Sequence, residues 1–164
     1  MKAIVLYYSY GGNTRKIAAK IQKALTCDAA EIKPQTPYVG NYNAVVEQGQ
    51  REINSGYMPK LQPLDMDLSR YDTIILGTPV WWYTFAPAMK TFLHNTDFNG
   101  KEVYLFATNG GWLGHTFQDF KKALKGASVH TGLNIRFNED LQLTSDEDIA
   151  SWLRTLQTSL QTVS

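Results

Sequence analysis

One segment near the amino terminus decides the fold: Ser9-Tyr10-Gly11-Gly12-Asn13-Thr14. It follows the mostly apolar run 2–8, whose β-forming residues are typical of a strand that is buried on both faces. Apolar residues at helical spacing come after it, namely Ile17, Ala18, Ile21, Ala24 and Leu25. The sequence therefore predicts a strand, a tight turn and a helix.

This turn has the composition of a phosphate-binding loop. The unpaired amides at a helix start and the helix dipole both favour an anion, and adjacent glycines let the backbone approach it closely. The spacing excludes a P-loop, because no Lys followed by Ser or Thr comes after Gly12, and it lacks the three glycines of a dinucleotide-binding loop. Neutral donors from Ser9, Asn13 and Thr14 suit a phosphate monoester such as flavin mononucleotide (FMN).

Taken alone, the segment fits equally well a plain strand-to-helix turn capped by Asn13 or Thr14. Two later segments favour a ligand. The apolar runs 71–77 and 101–107 end in the loops 78–83 and 108–112, and the first loop holds three adjacent aromatic residues. Adjacent side chains cannot all face one core, so at least one ring is expected to meet a planar ligand or another outside group. Because parallel strands end at one sheet edge, the three loops are expected to meet there.

In this order the three segments resemble the binding loops of the flavodoxin-like family, from residue 1 to about residue 126. Residues 9–14 look like its phosphate loop, 77–82 like its aromatic loop against the flavin ring, and 108–111 like its loop at the ring edge. The resemblance implies a three-layer α/β sandwich with a five-stranded parallel sheet in the order 2-1-3-4-5. It also implies non-covalent FMN, with the flavin and no protein side chain carrying the chemistry.

The resemblance assigns cofactor binding to all three loops. The candidate residues are Ser9, Tyr10, Gly11, Gly12, Asn13, Thr14, Thr78, Pro79, Val80, Trp81, Trp82, Tyr83, Thr108, Asn109, Gly110 and Gly111. Trp81, with Trp82 or Tyr83, is expected to stack on or flank the ring. Since no Lys or Arg stands in these loops, a reduced anionic flavin would gain little stabilisation, and a low reduction potential is expected.

Length and composition bound the remaining possibilities. A chain of 164 residues, 43% of them hydrophobic, predicts one domain over residues 1–164. No apolar run reaches membrane-spanning length, and Met1 leads straight into the first strand, so a cytoplasmic protein is expected.

The single cysteine, Cys27, is expected to be a packed thiol. The three histidines lack ligand spacing, so no metal is expected; His115 could reach a flavin edge, although a solvated loop histidine is preferred.

Charge separates the candidate functions. The formal net charge of +1 gives no basic stripe for nucleic acid and no strong field for docking on protein partners, unlike the acidic flavodoxins. Electron transfer through FMN, to a redox partner protein or a small acceptor, is the leading hypothesis. One alternative is an NAD(P)H-dependent reductase of quinones or similar small molecules, and a second is a non-redox module that binds a phosphate-bearing ligand. Exposed aromatic residues leave a homodimer open, and a membrane partner is not expected.

The rest of the chain predicts alternating strands and helices. A long connection punctuated by Pro and Gly, residues 33–68, holds one polar helix over 42–54. Its tyrosines, Tyr38, Tyr42 and Tyr57, are expected to cover the flank of the sheet in preference to closing over a ring. A last strand is predicted over 128–137, and a closing helix is predicted to begin with a capping box formed by Thr144 and Glu147.

Overall fold

The computed structural model describes residues 2–162. Eight strands run over Ala3–Tyr7 (β1), Asp28–Glu31 (β2), Thr73–Trp81 (β3), Thr84–Phe85 (β4), Glu102–Asn109 (β5), Ser128–Val129 (β6), Leu133–Asn138 (β7) and Leu141–Gln142 (β8). Five α-helices run over Asn13–Leu25 (α1), Tyr42–Ser55 (α2), Pro87–His94 (α3), Thr116–Ala123 (α4) and Asp146–Thr162 (α5). Strands and helices alternate along most of the chain, as the sequence predicts.

The sheet confirms the predicted fold class. Its long strands are parallel and lie in the order β2-β1-β3-β5-β7, which is the predicted order 2-1-3-4-5. Two short strands are additional, β4 and β8, which return antiparallel beside β3 and β7, while β6 pairs with β5. The last predicted strand is split in two at residues 130–132, where the ring of Phe117 packs against Gly132 and leaves no room for a β-carbon.

Helices cover both faces of the sheet. One core joins strand residues such as Leu6 and Leu76 to Phe92 of α3 and Phe120 of α4. The opposite core includes the following residues of β1, β3, α1 and α5: Val5, Ile75, Ile17, Ile21, Ile149 and Leu153. Each buried aliphatic or aromatic side chain contributes about 1.5–3 kcal/mol by leaving water. The two cores hold the carboxyl ends of the strands in fixed positions.

The cap of α5 differs from the sequence prediction, whereas Cys27 agrees with it. The amino end of α5 is capped by Ser145, whose Oγ accepts a hydrogen bond from Asp148 N at 3.1 Å. The predicted capping residue, Thr144, instead uses its hydroxyl to accept from Arg136 N at 2.8 Å. Cys27 is half-buried, and burial raises the pKa of its thiol to about 11, which favours the unreactive protonated form.

No helix within residues 2–162 combines the length and the apolar character that crossing a bilayer requires.

β3 extends beyond its neighbour β1 at the carboxyl edge of the sheet. The pairing of β1 with β3 ends at Tyr7 and Gly77, whereas β3 continues to Trp81. β5 stays paired with β3 as far as Pro79 and Thr108. Thr78 and Pro79 of β3 therefore pair with β5 beyond the last residue that pairs with β1, and Val80 and Trp81 then pair with β4. In an open parallel sheet this reversal of strand order creates a crevice for a ligand.

Candidate functional site

The three loops predicted to meet do so, and each contacts the other two. The hydroxyls of Thr14 and Thr108 are 2.7 Å apart in a buried hydrogen bond between the first loop and the end of β5. The ring centroids of Tyr10 and Trp81 are 5.9 Å apart, which joins the first loop to the second. His115 N donates to Tyr83 O at 2.9 Å and joins the loop after β5 to the second loop. These contacts enclose one region of the sheet edge.

The first loop presents main-chain donors. Gly11 and Gly12 have φ values of 81° and 97°, a conformation that glycine adopts without strain, and Gly12 is the N-cap of α1. The alternative cap that the sequence left open, Asn13 or Thr14, is therefore not the one used. A β-carbon at either glycine would meet no atom within 4 Å, so the space in front of the loop is open. Within residues 2–162, no protein acceptor binds the amides of residues 11–14.

The polar side chains of the first loop are mostly engaged by the protein. Ser9 Oγ accepts from Arg15 N at 3.2 Å, and Thr14 is completely buried against Thr108. Asn13 Nδ2 donates to Glu139 O at 2.8 Å, but Asn13 Oδ1 is buried and lacks a partner among the described residues. A buried acceptor without a donor is costly, so this oxygen indicates a missing ligand group or water. Among the described residues, the loop's main-chain amides and the Ser9 hydroxyl proton are left to donate to a ligand, and Asn13 Oδ1 is a buried acceptor without a donor.

Trp81 is the centre of an aromatic cluster beside the first loop. Its ring meets those of Tyr8, Tyr10 and Tyr38 edge to face, at centroid distances of 5.9, 5.9 and 4.9 Å. Burial raises the pKa of Tyr8, and burial followed by the hydrogen bond to Glu52 raises that of Tyr38. Both phenols therefore stay neutral at physiological pH. The cluster offers an apolar, uncharged surface next to the phosphate-type loop.

Trp82 and Tyr83 form a strained two-residue turn between β3 and β4. Their φ values are 50° and 71°, as in the type I′ turns that normally contain Asn-Gly. A left-handed backbone costs about 1–2 kcal/mol at each residue that has a β-carbon. The turn holds Trp82 where its Nε1 donates to Val46 O at 3.1 Å, and it leaves the Tyr83 ring half exposed. Strain of this kind is typical of functional sites.

A cavity of about 270 Å³ lies between α2 and this hairpin; we call it the first cavity. Its wall includes Tyr10 and residues from both elements: Tyr42, Val45, Val46, Gly49, Val80, Trp81 and Trp82. Gly49 permits the close approach of α2 to the Trp81 ring, because a β-carbon at this position would lie 3.1 Å from that ring. The cavity borders the first loop through Tyr10 and is lined by two indole rings. It has the character of a site for a flat apolar ring system.

The remaining candidate residues shape the loops from within. Thr78 is buried, and its hydroxyl donates to Pro79 O and accepts from Ala86 N. Asn109 Oδ1 accepts from Gly111 N at 2.9 Å, which folds the third loop back on itself. Gly110 follows β5 at the same edge of the sheet. The structure thus brings all three predicted segments together, and which of their atoms bind a ligand stays a prediction.

Sequence reasoning missed three contributors. α2 supplies one wall of the first cavity, and a glycine inside a helix, Gly49, is the signal that could have indicated it. Tyr42 and Tyr57 line cavities beside α2, whereas they were expected to cover the sheet. Arg136 lies in β7, where it pairs with Asn109 of β5, and its guanidinium is 3.2 Å from where a Gly111 β-carbon would be. This contact spans 25 residues, and no local pattern reveals it.

The charged residues nearest the first loop are paired away from it. Arg15 forms an ion pair with Glu31 at 2.5 Å, and Lys33 lies 3.5 Å from the same carboxylate. With these two cations engaged by Glu31, binding of a phosphate by neutral donors of the loop stays a prediction. Within residues 2–162, no group of three or more His, Cys, Asp or Glu side chains is placed to hold a metal ion.

The comparisons with known proteins agree with this geometry. The model of the flavodoxin family matches residues 2–156. A flavoprotein from Lactobacillus acidophilus, solved in complex with FMN, superposes with a TM-score of 0.71 at 27% identity, over 81% of this chain and 91% of that one. A Bacteroides eggerthii protein, described provisionally as a flavoprotein, reaches a TM-score of 0.79 at 26% identity, over 94% and 96%.

Two curated Escherichia coli proteins are also similar. Flavodoxin 1 is 30% identical over 106 residues, which are 62% of this chain and 46% of that protein. An uncharacterized NAD(P)H oxidoreductase is 28% identical over 92 residues, which are 51% and 47%. The chain spans about half the length of the curated relatives it matches. The match to the family model covers nearly all of the chain and, with the parallel sheet and the three loops at its edge, shows that the chain belongs to the flavodoxin family.

Proposed function

We propose that the protein binds FMN non-covalently at the carboxyl edge of its sheet and transfers electrons through it. The main observation in support is that an open glycine loop with free amides lies next to a cavity lined by tryptophan. In sheets of this order a ligand binds at the β1/β3 reversal, where both features lie. The FMN complex of the Lactobacillus acidophilus relative supports the choice of ligand.

The residues present fit FMN part by part. The amides of residues 11–14 and the amino end of α1 would hold the phosphate. Asn13 Oδ1 is buried without a donor and would accept a hydrogen bond from a ribityl hydroxyl. A phosphate dianion could not fill this role, because it has no proton to donate. Trp81 and Trp82 would pack against the isoalloxazine and keep water from it. The bound flavin supplies the redox chemistry, and the chain binds, orients and shields it.

Two roles share this site. An electron carrier that serves a redox partner protein is the leading one, and it agrees with the similarity to Flavodoxin 1. A reductase that takes hydride from NAD(P)H is the second. Its support is the net charge of +1, which provides no strong field for docking on proteins, and the similarity to an NAD(P)H oxidoreductase. In either role the protein would act in the cytoplasm.

Titration with FMN and with riboflavin tests the proposal. We expect FMN to bind with quenched fluorescence and a shifted visible absorbance, and riboflavin, which lacks the phosphate, to bind at least tenfold more weakly. Equal affinity for the two ligands would contradict the phosphate assignment. Failure of both to bind would overturn the proposed function and favour a module for another phosphate-bearing ligand.

Anaerobic mixing of the FMN-loaded protein with NADH and with NADPH separates the two roles. A reductase bleaches the flavin absorbance within seconds at millimolar nucleotide. A carrier stays oxidised with both nucleotides and is reduced only after a flavodoxin reductase is added. The second outcome is the one that the leading role requires.

A further inference from the structure

A second cavity, of about 300 Å³, lies on the other side of the β3–β4 hairpin. The first cavity uses residues 42–49 of α2 and the β3 side of the hairpin, whereas the second uses residues 52–57 and the β4 side. The two cavities are therefore neighbours along α2. The Trp82–Tyr83 turn lies between them.

We infer that the second cavity binds a neutral compound of one or two rings that carries a carbonyl or hydroxyl oxygen, with His115 as the hydrogen-bond partner of that oxygen. Resting on the proposed function, this ligand would be the small-molecule electron acceptor. Three observations support the assignment: the fixed imidazole, the apolar walls and the balance of charges.

The His115 ring is held by a chain of contacts. Its Nδ1 is hydrogen-bonded to Asp119 Oδ2, one helical turn later, and the same oxygen accepts from the buried Thr84 hydroxyl at 2.5 Å. The main chain of His115 is tied to Tyr83 O at 2.9 Å. Among the described residues nothing binds Nε2, so this nitrogen is the one available to a ligand. A ring fixed at one nitrogen has its other nitrogen oriented in advance.

The same nitrogen can serve both redox forms of an oxygen-bearing ring. In the imidazolium form Nε2 donates to a carbonyl oxygen, and in the neutral form, with the proton on Nδ1 toward Asp119, it accepts from a hydroxyl. A carbonyl compound such as a quinone and its reduced, hydroxyl-bearing form could thus occupy the cavity in turn. Their interconversion takes two electrons, which the bound flavin would supply under the proposed function, and two protons, of which His115 Nε2 would pass one to the oxygen beside it and solvent the other.

The walls and charges select a neutral ligand. Ile53, Phe85 and Pro87 provide apolar surface, and the volume is at the low end of small-molecule sites, which suits one or two rings. Lys90 is opposed by two carboxylates, Glu52 and Asp119, so the cavity has no excess of positive charge for a phosphate. Glu52 is already bound by Tyr38 and Gln48, at 2.6 and 2.8 Å.

Duroquinone, a neutral ring whose four methyl groups block addition by the Cys27 thiol, is a suitable probe. It is titrated into the oxidised protein, with and without FMN, and binding is followed through the NMR signals of His115 and Gly114. We expect saturable shifts at these residues with a Kd below 1 mM. Absence of saturation, or shifts confined to the first cavity, would overturn the inference.

Two matched substitutions on α2 separate the cavities. Ile53→Phe fills the second cavity and is expected to weaken duroquinone at least tenfold while FMN affinity changes less than twofold. Val46→Phe fills the first cavity and is expected to do the reverse. Equal effects of both substitutions on duroquinone would contradict a separate site. If FMN fails to bind the unmodified protein, the proposed function fails, and the duroquinone shifts still decide whether the second cavity binds this class of ring.

Substitution of the imidazole tests the role of His115. His115→Phe keeps an aromatic ring but removes Nε2, so duroquinone and 2,3,5,6-tetramethylphenol are both expected to bind about fivefold more weakly. Asp119→Asn should change the imidazole ¹⁵N signals that report the tautomer. Unchanged affinities in His115→Phe would overturn the assignment.

Discussion

Two turns at the sheet edge use a left-handed backbone, and they differ in the residues that adopt it. The first loop places glycines, Gly11 and Gly12, at φ values of 81° and 97°. The hairpin places Trp82 and Tyr83 at 50° and 71°. Glycine adopts this conformation freely, whereas a residue with a β-carbon loses about 1–2 kcal/mol there. The protein thus avoids strain at the first loop and accepts it at the hairpin.

The difference indicates what each turn contributes. The first loop offers amides, so side chains would only obstruct the ligand, and the glycines leave the space before it open. The hairpin offers rings, and only its strained turn keeps Trp82 against α2 and Tyr83 beside His115. One edge of the sheet therefore holds two kinds of turn: a loop that would bind through its amides and is formed by unstrained glycines, and a hairpin that would bind through aromatic rings and has a strained backbone.

The largest effect is expected from Trp81→Ala. Loss of three edge-to-face contacts should lower the free energy of unfolding by about 3 kcal/mol and weaken FMN and riboflavin alike, because the ring is common to both. Chemical denaturation and flavin titration measure the two effects. Trp112→Ala is the control, since that indole is 68% exposed and should change stability by less than about 0.5 kcal/mol. If Trp81→Ala weakened FMN but not riboflavin, Trp81 would contact the phosphate and not the flavin ring, and the assignment would be wrong.

Gly12→Ala should weaken FMN about tenfold and leave riboflavin unchanged, since the strained backbone displaces the amides that hold the phosphate. Gly100→Ala is a matched control. Gly100 also has a positive φ, 80°, with no atom within 4 Å of a β-carbon, but it precedes β5 at the opposite edge of the sheet. Both substitutions should destabilise the protein by about 1–2 kcal/mol. If Gly100→Ala impairs FMN binding equally, the effect of Gly12→Ala is one of stability alone.

Tyr83→Gly should stabilise the ligand-free protein by about 1 kcal/mol, because it removes the β-carbon from a left-handed position. Thermal and urea unfolding measure the gain. Tyr83→Ala removes the ring but keeps the β-carbon, so it should bring no gain. A loss of stability in Tyr83→Gly would mean that the turn is not strained and that the contrast with Gly12 is wrong.

The smallest effect is expected from Arg136→Gln. The guanidinium beside Gly111 should favour a reduced, anionic flavin, so its removal should lower the two-electron reduction potential by roughly 15 mV, or about 0.7 kcal/mol. Arg136→Lys keeps the charge and should preserve the potential. Spectroelectrochemical titration of the three proteins gives the values. Equal reduction potentials in all three proteins would mean that the Arg136 charge does not act on the flavin, as expected from a third loop without Lys or Arg.

Local patterns predicted the long strands, most helices and the three loops, and the resemblance to the flavodoxin-like family supplied the strand order, which the structure confirms. Apolar runs marked the long strands, the glycines of the first loop marked a backbone approach, and loop order located the sheet edge. The Trp82–Tyr83 turn escaped detection, because such turns are recognised by Asn and Gly, not by aromatic residues. Strand pairing brought Arg136 to Gly111, and packing brought α2 to the hairpin, and neither arrangement leaves a periodic trace in the sequence. The spacing of His115 and Asp119, four residues apart, was visible and was not used.

α2 forms the outer wall of both cavities, with Gly49 facing Trp81 in one and Ile53 bordering the other. A substitution that shifts the whole helix would alter both cavities together, whereas a side chain exchanged at one end of it, as at Val46 or Ile53, would alter one cavity alone.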